Sequence, residues 1–263
     1  MPGMATTVDH LLDGRVVLRQ PAKGFRAAID PVLLAAAVAA LPGERALELG
    51  AGIGAAALCL ARRVPDVVVH GVDRDADLVT LARGNAAANG LAGRVRFSAA
   101  DIDGPDIPEA GTWDHVFANP PYLARDGADT RRAGAPAATV EGEGGLGVWI
   151  AAMRRAVRRR GRIVLVHRAD RLADIVVALS DGFGEISVFP LWPHDGAPAR
   201  RVLVGARAGV KGSLTLLPGL ILHRPDGNWT AGADAVLRDG TPLDLGRPQG
   251  IAARKRASRG VGP

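Results

Sequence analysis

The chain has 263 residues, 48% hydrophobic and 4% aromatic, which is enough for a substantial core built mainly from small aliphatic side chains. Its net charge of +6 favours a polyanionic partner such as nucleic acid, although an arginine-rich composition alone gives the same charge. A single cysteine, Cys59, excludes a disulfide within the chain. No apolar stretch reaches the length of a membrane span, and the N-terminus lacks signal-peptide features, so we expect a cytoplasmic protein without a membrane partner.

Residues 1–43 predict a hairpin followed by a helix. Two apolar runs flank the dipeptide Asp13-Gly14, which is favoured in tight hairpin turns. Asp30 and Pro31 then suit the N-cap and the first position of a helix that runs to about Leu41.

Residues 44–210 alternate between strand and helix patterns, which predicts a parallel sheet with helices on both faces. The last two strands have no helix between them and are expected to pair antiparallel. We therefore predict an α/β, Rossmann-like sheet of seven strands, mostly parallel, with one antiparallel strand at its edge. The expected strands are 45–49, 67–72, 94–97, 113–118, 162–167, 185–189 and 201–207, and the expected helices are 53–63, 75–89, 143–159 and 170–180.

Two further segments complete the chain. Residues 211–245 predict a small C-terminal extension, in which Pro218-Gly219 would form the turn of a second hairpin. Residues 246–263 lack periodicity and predict a disordered basic tail. The basic side chains of this tail are Arg254, Lys255, Arg256 and Arg259.

A glycine-rich turn joins the first strand of the predicted sheet to its first helix. Gly50, Gly52 and Gly54 allow the backbone to turn sharply and a ligand to approach closely. The same spacing satisfies the looser dinucleotide fingerprint, so a dinucleotide and S-adenosylmethionine must both be considered.

Carboxylates at three successive strand ends favour S-adenosylmethionine. Glu48 precedes the glycines, where an anion would suit a cationic ligand and repel a pyrophosphate. Asp73, followed by Arg74, ends the second strand and can accept both hydroxyls of a ribose. Asp101 ends the third strand and can accept the amino group of an adenine ring, on which Ile102 can pack. Each acid alone could be a helix cap or a loop charge, but together they predict a cofactor site.

The stretch Asn119, Pro120, Pro121 and Tyr122 follows the fourth strand, at the sheet edge where α/β proteins bind ligands. The Asn119 amide oxygen and the Pro120 carbonyl can each accept one N–H of a planar amino group, which directs the nitrogen lone pair at a methyl donor. Pro121 would fix the backbone, and Tyr122 would stack on the base. A plain strand-terminating turn is the alternative interpretation.

These motifs resemble those of class I, Rossmann-like S-adenosylmethionine-dependent methyltransferases over about residues 26–207. The Asn-Pro-Pro-Tyr form is similar to that of enzymes that methylate planar exocyclic or amide nitrogens. Residues 24–35, Gly-Phe-Arg-Ala-Ala-Ile-Asp-Pro-Val-Leu-Leu-Ala, further resemble the lead-in of the tRNA(1)Val adenine-37 N6-methyltransferase-like family. The resemblance implies S-adenosyl-L-methionine as cofactor and an exocyclic adenine N6 in RNA, foremost tRNA, as substrate. Asn119 would then face both the cofactor and the acceptor.

Three other functions stay open: a protein glutamine N5-methyltransferase, a ribosomal RNA guanine N2-methyltransferase, and a non-catalytic RNA-binding module. The six histidines show no metal-ligand spacing, so no metal site is expected. RNA-backbone contacts are expected from the basic tail and from the loop after Tyr122. The basic side chains of this loop are Arg125, Arg131 and Arg132.

Overall fold

The computed structural model describes residues 5–23, 27–104, 107–122 and 145–246. Arg125, Arg131 and Arg132, residues 24–26 of the lead-in and the basic tail beyond residue 246 lie outside the described residues. The expectations for RNA contacts from these segments therefore stay predictions.

The described ranges contain eleven strands and six α-helices. The strands are β1 (Thr6–Leu11), β2 (Val16–Pro21), β3 (Arg45–Leu49), β4 (Val68–Asp73), β5 (Val95–Ala99), β6 (Trp113–Ala118), β7 (Val157–Arg168), β8 (Phe183–Trp192), β9 (Arg201–Ala208), β10 (Thr215–Leu216) and β11 (Leu220–Ile221). The helices are α1 (Asp30–Ala37), α2 (Ala55–Arg63), α3 (Ala76–Ala88), α4 (Gly145–Ala156), α5 (Leu172–Leu179) and α6 (Ala231–Asp234). None of these helices is both long enough and apolar enough to cross a membrane.

The central sheet has the order β5-β4-β3-β6-β7-β9-β8, with β10 and β11 both outside β8. The Rossmann-like, mostly parallel architecture and the antiparallel pairing of the last two long strands are confirmed. The predicted edge position of the antiparallel strand is wrong, because β9 lies between β7 and β8 and pairs antiparallel with both. Most of its side chains are buried, which suits an interior strand better than an edge. The sheet also has nine strands rather than seven.

The C-terminal extension covers the outer edge of β8. Its predicted hairpin is wrong, because β10 and β11 do not pair with each other but both run parallel to β8. The connecting Gly219 has a φ of +82° and lies against the Pro190 carbonyl, while the Trp192 indole donates to the Pro218 carbonyl at 3.1 Å. β10 and β11 therefore act as one edge segment that is interrupted at residues 217–219. This segment shields β8 from further pairing.

Three predicted helix ends are wrong. α1 ends at Ala37 rather than at about Leu41, because Val38 already has an extended backbone. α1 begins at Asp30 with Ile29 as its N-cap, and the Asp30 carboxylate makes no capping bond. α4 ends at Ala156, and the next residues belong to β7, where Val157 pairs with Trp113. The helical pattern over 143–159 therefore continues past the point at which sheet pairing begins.

The predicted N-terminal hairpin is confirmed, with β1 antiparallel to β2. Asn85 of α3 and Asn89 at its C-cap, one helical turn apart, bond to the free edge of β2. The Asn85 amide bonds to both backbone groups of Arg19 at 2.9 Å, and the Asn89 amide bonds to those of Val17 at 2.7 and 2.9 Å. These side chains replace a neighbouring strand and fix the hairpin on the main domain.

We expect Asn85→Ala to lower the free energy of unfolding by about 1–3 kcal/mol, because it leaves an N–H and a C=O of Arg19 without partners. Urea denaturation measures this loss. Thr80→Ala is a matched control in α3, since the exposed Thr80 hydroxyl bonds only to the carbonyl of Ala76 in its own helix. An unchanged stability in Asn85→Ala would show that the asparagines do not hold the hairpin.

Candidate active site

The register of the central strands brings the predicted site residues to one level. Leu49 at the end of β3 is paired with Ala118 at the end of β6, and the next residues are Gly50 and Asn119. Asp73 at the end of β4 lies one residue beyond the partner of Leu49, at the same level. Because neighbouring strands lie about 4.8 Å apart, the backbones of Asp73 and Asn119 are about 10 Å apart across the sheet edge.

The three glycines of the turn after β3 differ in what lies against them. All have positive φ, at +67° for Gly50, +53° for Gly52 and +85° for Gly54, so a turn of this shape favours glycine at each position. A methyl group on Gly50 would come within 2.5 Å of the Trp149 ring, and one on Gly54 within 2.5 Å of the Phe97 ring. Only Gly52 faces open space. Close approach by a ligand therefore explains at most Gly52, and aromatic packing explains the other two.

Asp73 fixes this turn through both of its carboxylate oxygens. One oxygen accepts from the Gly52 N–H at 2.7 Å, and the other accepts from the Asp75 N–H at 3.0 Å. A carboxylate has about four acceptor positions, so about two remain for a bound hydroxyl pair. Asp73 is half-buried and Arg74 is exposed, which leaves the carboxylate reachable from the edge of the sheet.

Glu48 has a different environment from the one that its position in the motif suggested. The side chain is 4% exposed, and its carboxyl group accepts from the Ala57 N–H in the first turn of α2 at 2.9 Å. Burial raises the pKa of Glu48 well above its usual range, and the nearby Asp73 charge acts in the same direction. Glu48 therefore stabilises the junction between β3 and α2. In the sequence analysis, the expected negative charge of Glu48 favoured a cationic cofactor. The raised pKa weakens this electrostatic attraction.

Asp101 and Ile102 lie just beyond the end of β5, where Ala99 is paired with Asp73. Asp101 is exposed and accepts from the Asp103 N–H at 3.0 Å. Ile102 packs against the apolar cluster that also includes Trp149, and its carbonyl accepts from the Arg155 guanidinium at 2.6 Å.

Trp149 of α4 lies at the candidate site, although no sequence motif indicated it. Its ring covers Gly50, and both Trp149 and Ile102 line the same side of the sheet edge. The sequence offered one indication of this role. Trp149 is one of only four tryptophans in the chain and lies in the predicted helix 143–159, which follows the stretch 119–122. Its contact with Gly50, far away in the sequence, could not be inferred from spacing.

The Asn119 side chain presents a buried amide oxygen that has no hydrogen-bond partner among the residues that the structure describes. A buried acceptor of this kind costs about 1–3 kcal/mol when unpaired. Pro120 beside it is buried. An N–H donor that enters from the sheet edge would satisfy the Asn119 oxygen, so the geometry fits a ligand with an amino or amide group.

Tyr122 is held at two points. Its hydroxyl donates to the Asp30 carboxylate at 2.8 Å, and its ring lies edge-to-face with the His167 ring at 5.4 Å between centroids. Burial and the Asp30 charge raise the pKa of Tyr122 above its usual value, so the hydroxyl stays protonated. The same Asp30 oxygen lies 2.9 Å from the Arg201 Nε.

His167, whose ring contacts Tyr122, lies on β7 and is fully buried. Burial lowers the pKa of its imidazole to about 4, and the Arg171 guanidinium adds to this effect, while the Pro121 carbonyl and Asp170 partly oppose it. The imidazole is therefore neutral at pH 7.

We expect His167 to make the protein less stable as the pH falls from about 6.5 to about 4. The unfolded chain binds a proton at its ordinary pKa of 6.5, whereas the folded imidazole resists protonation until about 4, so unfolding takes up a proton in this range. The free energy of unfolding should fall by at most about 3 kcal/mol more in the wild type than in His167→Phe. Chemical denaturation at pH 7 and pH 4 measures the difference.

The exposed His10 provides the control, because His10→Phe makes the same replacement at the surface of the protein. The raised pKa of Glu48 changes stability in the opposite direction over this range but is common to all three proteins. Parallel pH profiles for wild type and His167→Phe would contradict the buried, neutral imidazole.

Comparisons with known proteins agree with this geometry. Residues 28–138 match the family model described as the methyltransferase small domain. A release factor glutamine methyltransferase of Chlorobaculum tepidum is 39% identical over 79 residues, which are 29% of this chain and 27% of that protein. A tRNA1(Val) (adenine(37)-N6)-methyltransferase of Escherichia coli O157:H7 is 33% identical over 99 residues, which are 37% of this chain and 40% of that protein. The chain thus matches less than half the length of these relatives.

The fold has solved counterparts. The crystal structure of a predicted O-methyltransferase from Agrobacterium tumefaciens has a TM-score of 0.68 and 25% identity, and the match covers 82% of this chain and 98% of that one. An S-adenosylmethionine-dependent O-methyltransferase from Thermotoga maritima has a TM-score of 0.53 and 18% identity over 72% of this chain and 68% of that one, which supports the fold alone. Residues 28–138 are thus similar to the methyltransferase small domain, and the chain shares its Rossmann-like fold with solved methyltransferase structures.

Proposed function

We propose that the protein is an S-adenosylmethionine-dependent N-methyltransferase that methylates an exocyclic adenine N6 in RNA, foremost tRNA. The observation that carries this proposal is the buried amide oxygen of Asn119, which has no partner within residues 5–23, 27–104, 107–122 and 145–246 and lies level with the glycine turn at the carboxyl edge of the sheet. An acceptor in that position suits a substrate that brings an N–H donor. A cytoplasmic site of action is part of the proposal.

The residues of the glycine turn fit S-adenosylmethionine. Gly52 leaves open space beside the backbone, and Asp73 keeps acceptor positions for the ribose hydroxyls. Ile102 and Trp149 offer apolar surface for an adenine ring, with the Asp101 carboxylate at the rim for its amino group. When bound, this cofactor supplies an electrophilic methyl group. The proposed cofactor residues are Glu48, Gly50, Gly52, Gly54, Asp73, Arg74, Asp101, Ile102 and Asn119, with Glu48, Gly50 and Gly54 acting through the shape of the turn.

On the acceptor side, the work of the protein is positioning. An exocyclic adenine nitrogen is a weak nucleophile because its lone pair is delocalised into the ring. It is uncharged at neutral pH, so no proton has to leave before methyl transfer, and the methylated nitrogen then loses one of its two N–H protons to solvent. Asn119 and the Pro120 carbonyl would each accept one N–H and turn the lone pair toward the methyl donor. Pro121 would hold the backbone, and Tyr122 would stack on the base, which is worth about 1–3 kcal/mol. The base of a folded RNA must be splayed out to reach the site.

Two observations support RNA as the substrate. The net charge of +6 suits a polyanion. The relatives include the tRNA adenine methyltransferase and also a 23S rRNA (uracil(1939)-C(5))-methyltransferase of Acidithiobacillus ferrooxidans, 40% identical over 100 residues, which are 36% of this chain and 22% of that protein.

A protein glutamine N5-methyltransferase is the second candidate. It is supported by the similarity to release factor glutamine methyltransferases, at 39% identity for the one from Chlorobaculum tepidum. A glutamine side-chain amide is planar and carries two N–H groups, so it would satisfy the same Asn119 oxygen.

Asn119→Ala should keep cofactor affinity within about threefold and lower methyl transfer by about 10²–10³-fold, as expected when a transition-state hydrogen bond is lost. Calorimetry with S-adenosylhomocysteine measures the first, and transfer of labelled methyl to total RNA and to total protein measures the second. The proposal predicts label in RNA, recovered as N6-methyladenosine, and none in protein.

Asn228→Ala is the matched control, because Asn228 is exposed in the C-terminal extension. Label in protein glutamine alone would favour the second candidate. A normal turnover in Asn119→Ala would overturn the acceptor role of this residue, and an absence of label in both fractions with wild-type protein would overturn the proposed function.

A further inference from the structure

The buried carboxylate of Asp30 connects Tyr122, the last residue of the stretch 119–122, with the start of α1 and the start of β9. Asp30 begins α1, is 8% exposed and makes no capping bond to its own helix. One of its oxygens accepts from the Tyr122 hydroxyl at 2.8 Å and lies 2.9 Å from the Nε of Arg201 at the start of β9. The other oxygen is buried and has no hydrogen-bond partner in the described part of the chain.

Burial of the Asp30 carboxylate costs free energy unless its contacts replace the lost hydration. A buried carboxylate needs a nearby cation, and Arg201 provides it. A capping bond at the N-terminus of α1 would stabilise the helix locally, but the side chain is directed to the loop instead. Helix stability alone therefore does not explain why Asp30 points at Tyr122.

The ring of Tyr122 is consequently fixed in direction as well as in place. The Asp30 bond holds the hydroxyl end, and the edge-to-face contact with His167 holds the ring. Without the carboxylate, the ring could rotate about its side-chain torsions, because the His167 contact constrains only one part of it. Stacking with a base depends on the ring plane, so a loss of direction weakens stacking even when the ring remains.

We propose that Asp30 and Arg201 are positioning residues that set the plane of Tyr122 for the acceptor. This rests on the proposed function of the same site. Asp30 acts through Tyr122 and does not touch the reacting atoms. Arg201 acts one step further away, by pairing with the Asp30 carboxylate and holding it in place.

The test compares Asp30→Asn, Tyr122→Phe and the double variant in methyl transfer to RNA. Asp30→Asn keeps an oxygen acceptor but removes the charge that pairs with Arg201, and Tyr122→Phe keeps the ring but removes the hydroxyl. Each single variant should raise KM for the RNA about tenfold, with the Kd for S-adenosylhomocysteine unchanged. The double variant should be no worse than the worse single one, because both changes act on the same contact between Asp30 and Tyr122.

We call the contact of Asp30 with Tyr122 and Arg201 the clamp. Tyr122 is the only tyrosine in the chain, so tyrosine labelled with ¹³C at Cζ gives one NMR signal that reports on the clamp. That signal should shift in Asp30→Asn. It should stay in place in Asp181→Asn, which removes an exposed aspartate paired with Arg154 just before β8, at the opposite edge of the sheet. A structural role alone would lower stability in Asp30→Asn without a selective change in KM.

The outcomes separate this proposal from the proposed function. If the wild type transfers methyl groups but Asp30→Asn leaves KM and the tyrosine signal unchanged, the clamp is overturned and the function stands. Additive effects in the double variant would also overturn the clamp. If the wild type transfers no methyl group to RNA or protein, the function is overturned and the role of the clamp with it.

Discussion

β3 hydrogen-bonds to β4 along one side and to β6 along the other, and the position of every candidate group depends on that register. It places the glycine turn between the Asp73 carboxylate and the Asn119 amide at one sheet edge. A shift of one residue in either pairing would turn each side chain to the opposite face. The apolar residues of these strands oppose such a shift, since they are buried by helices on both faces.

Within this frame, polar and aromatic contacts divide the site into two halves. On the cofactor side, the Gly52 amide bonds to Asp73. Trp149 packs against Gly50 and Phe97 against Gly54, which leaves open space only at Gly52 among the three glycines. On the acceptor side, Asn119 and Asp30 each carry a buried oxygen for which the described residues provide no partner. Native proteins rarely leave such atoms unsatisfied, so their presence beside a strand end favours a site that a ligand completes.

The sequence predicted what depends on short stretches of chain. The hairpin at Asp13-Gly14, the glycine turn and the alternation of strands and helices follow from local backbone preferences and periodicity. The features it missed depend on contacts between distant segments. Trp149 over Gly50, the partner of Glu48 and the insertion of β9 between β7 and β8 are of this kind. Asp30 shows the difference best, because its local pattern predicts a helix cap and its actual partner is Tyr122.

A crystal structure with S-adenosylhomocysteine tests the central claim most directly. The account predicts the ribose hydroxyls on the Asp73 carboxylate, the chain of the ligand over Gly52, and the sulfur atom facing Asn119. The adenine should lie against Ile102 and Trp149. A ligand that binds elsewhere, or one whose sulfur atom points away from the Asn119 oxygen, would contradict the assignment of this sheet edge as a methyl-transfer site.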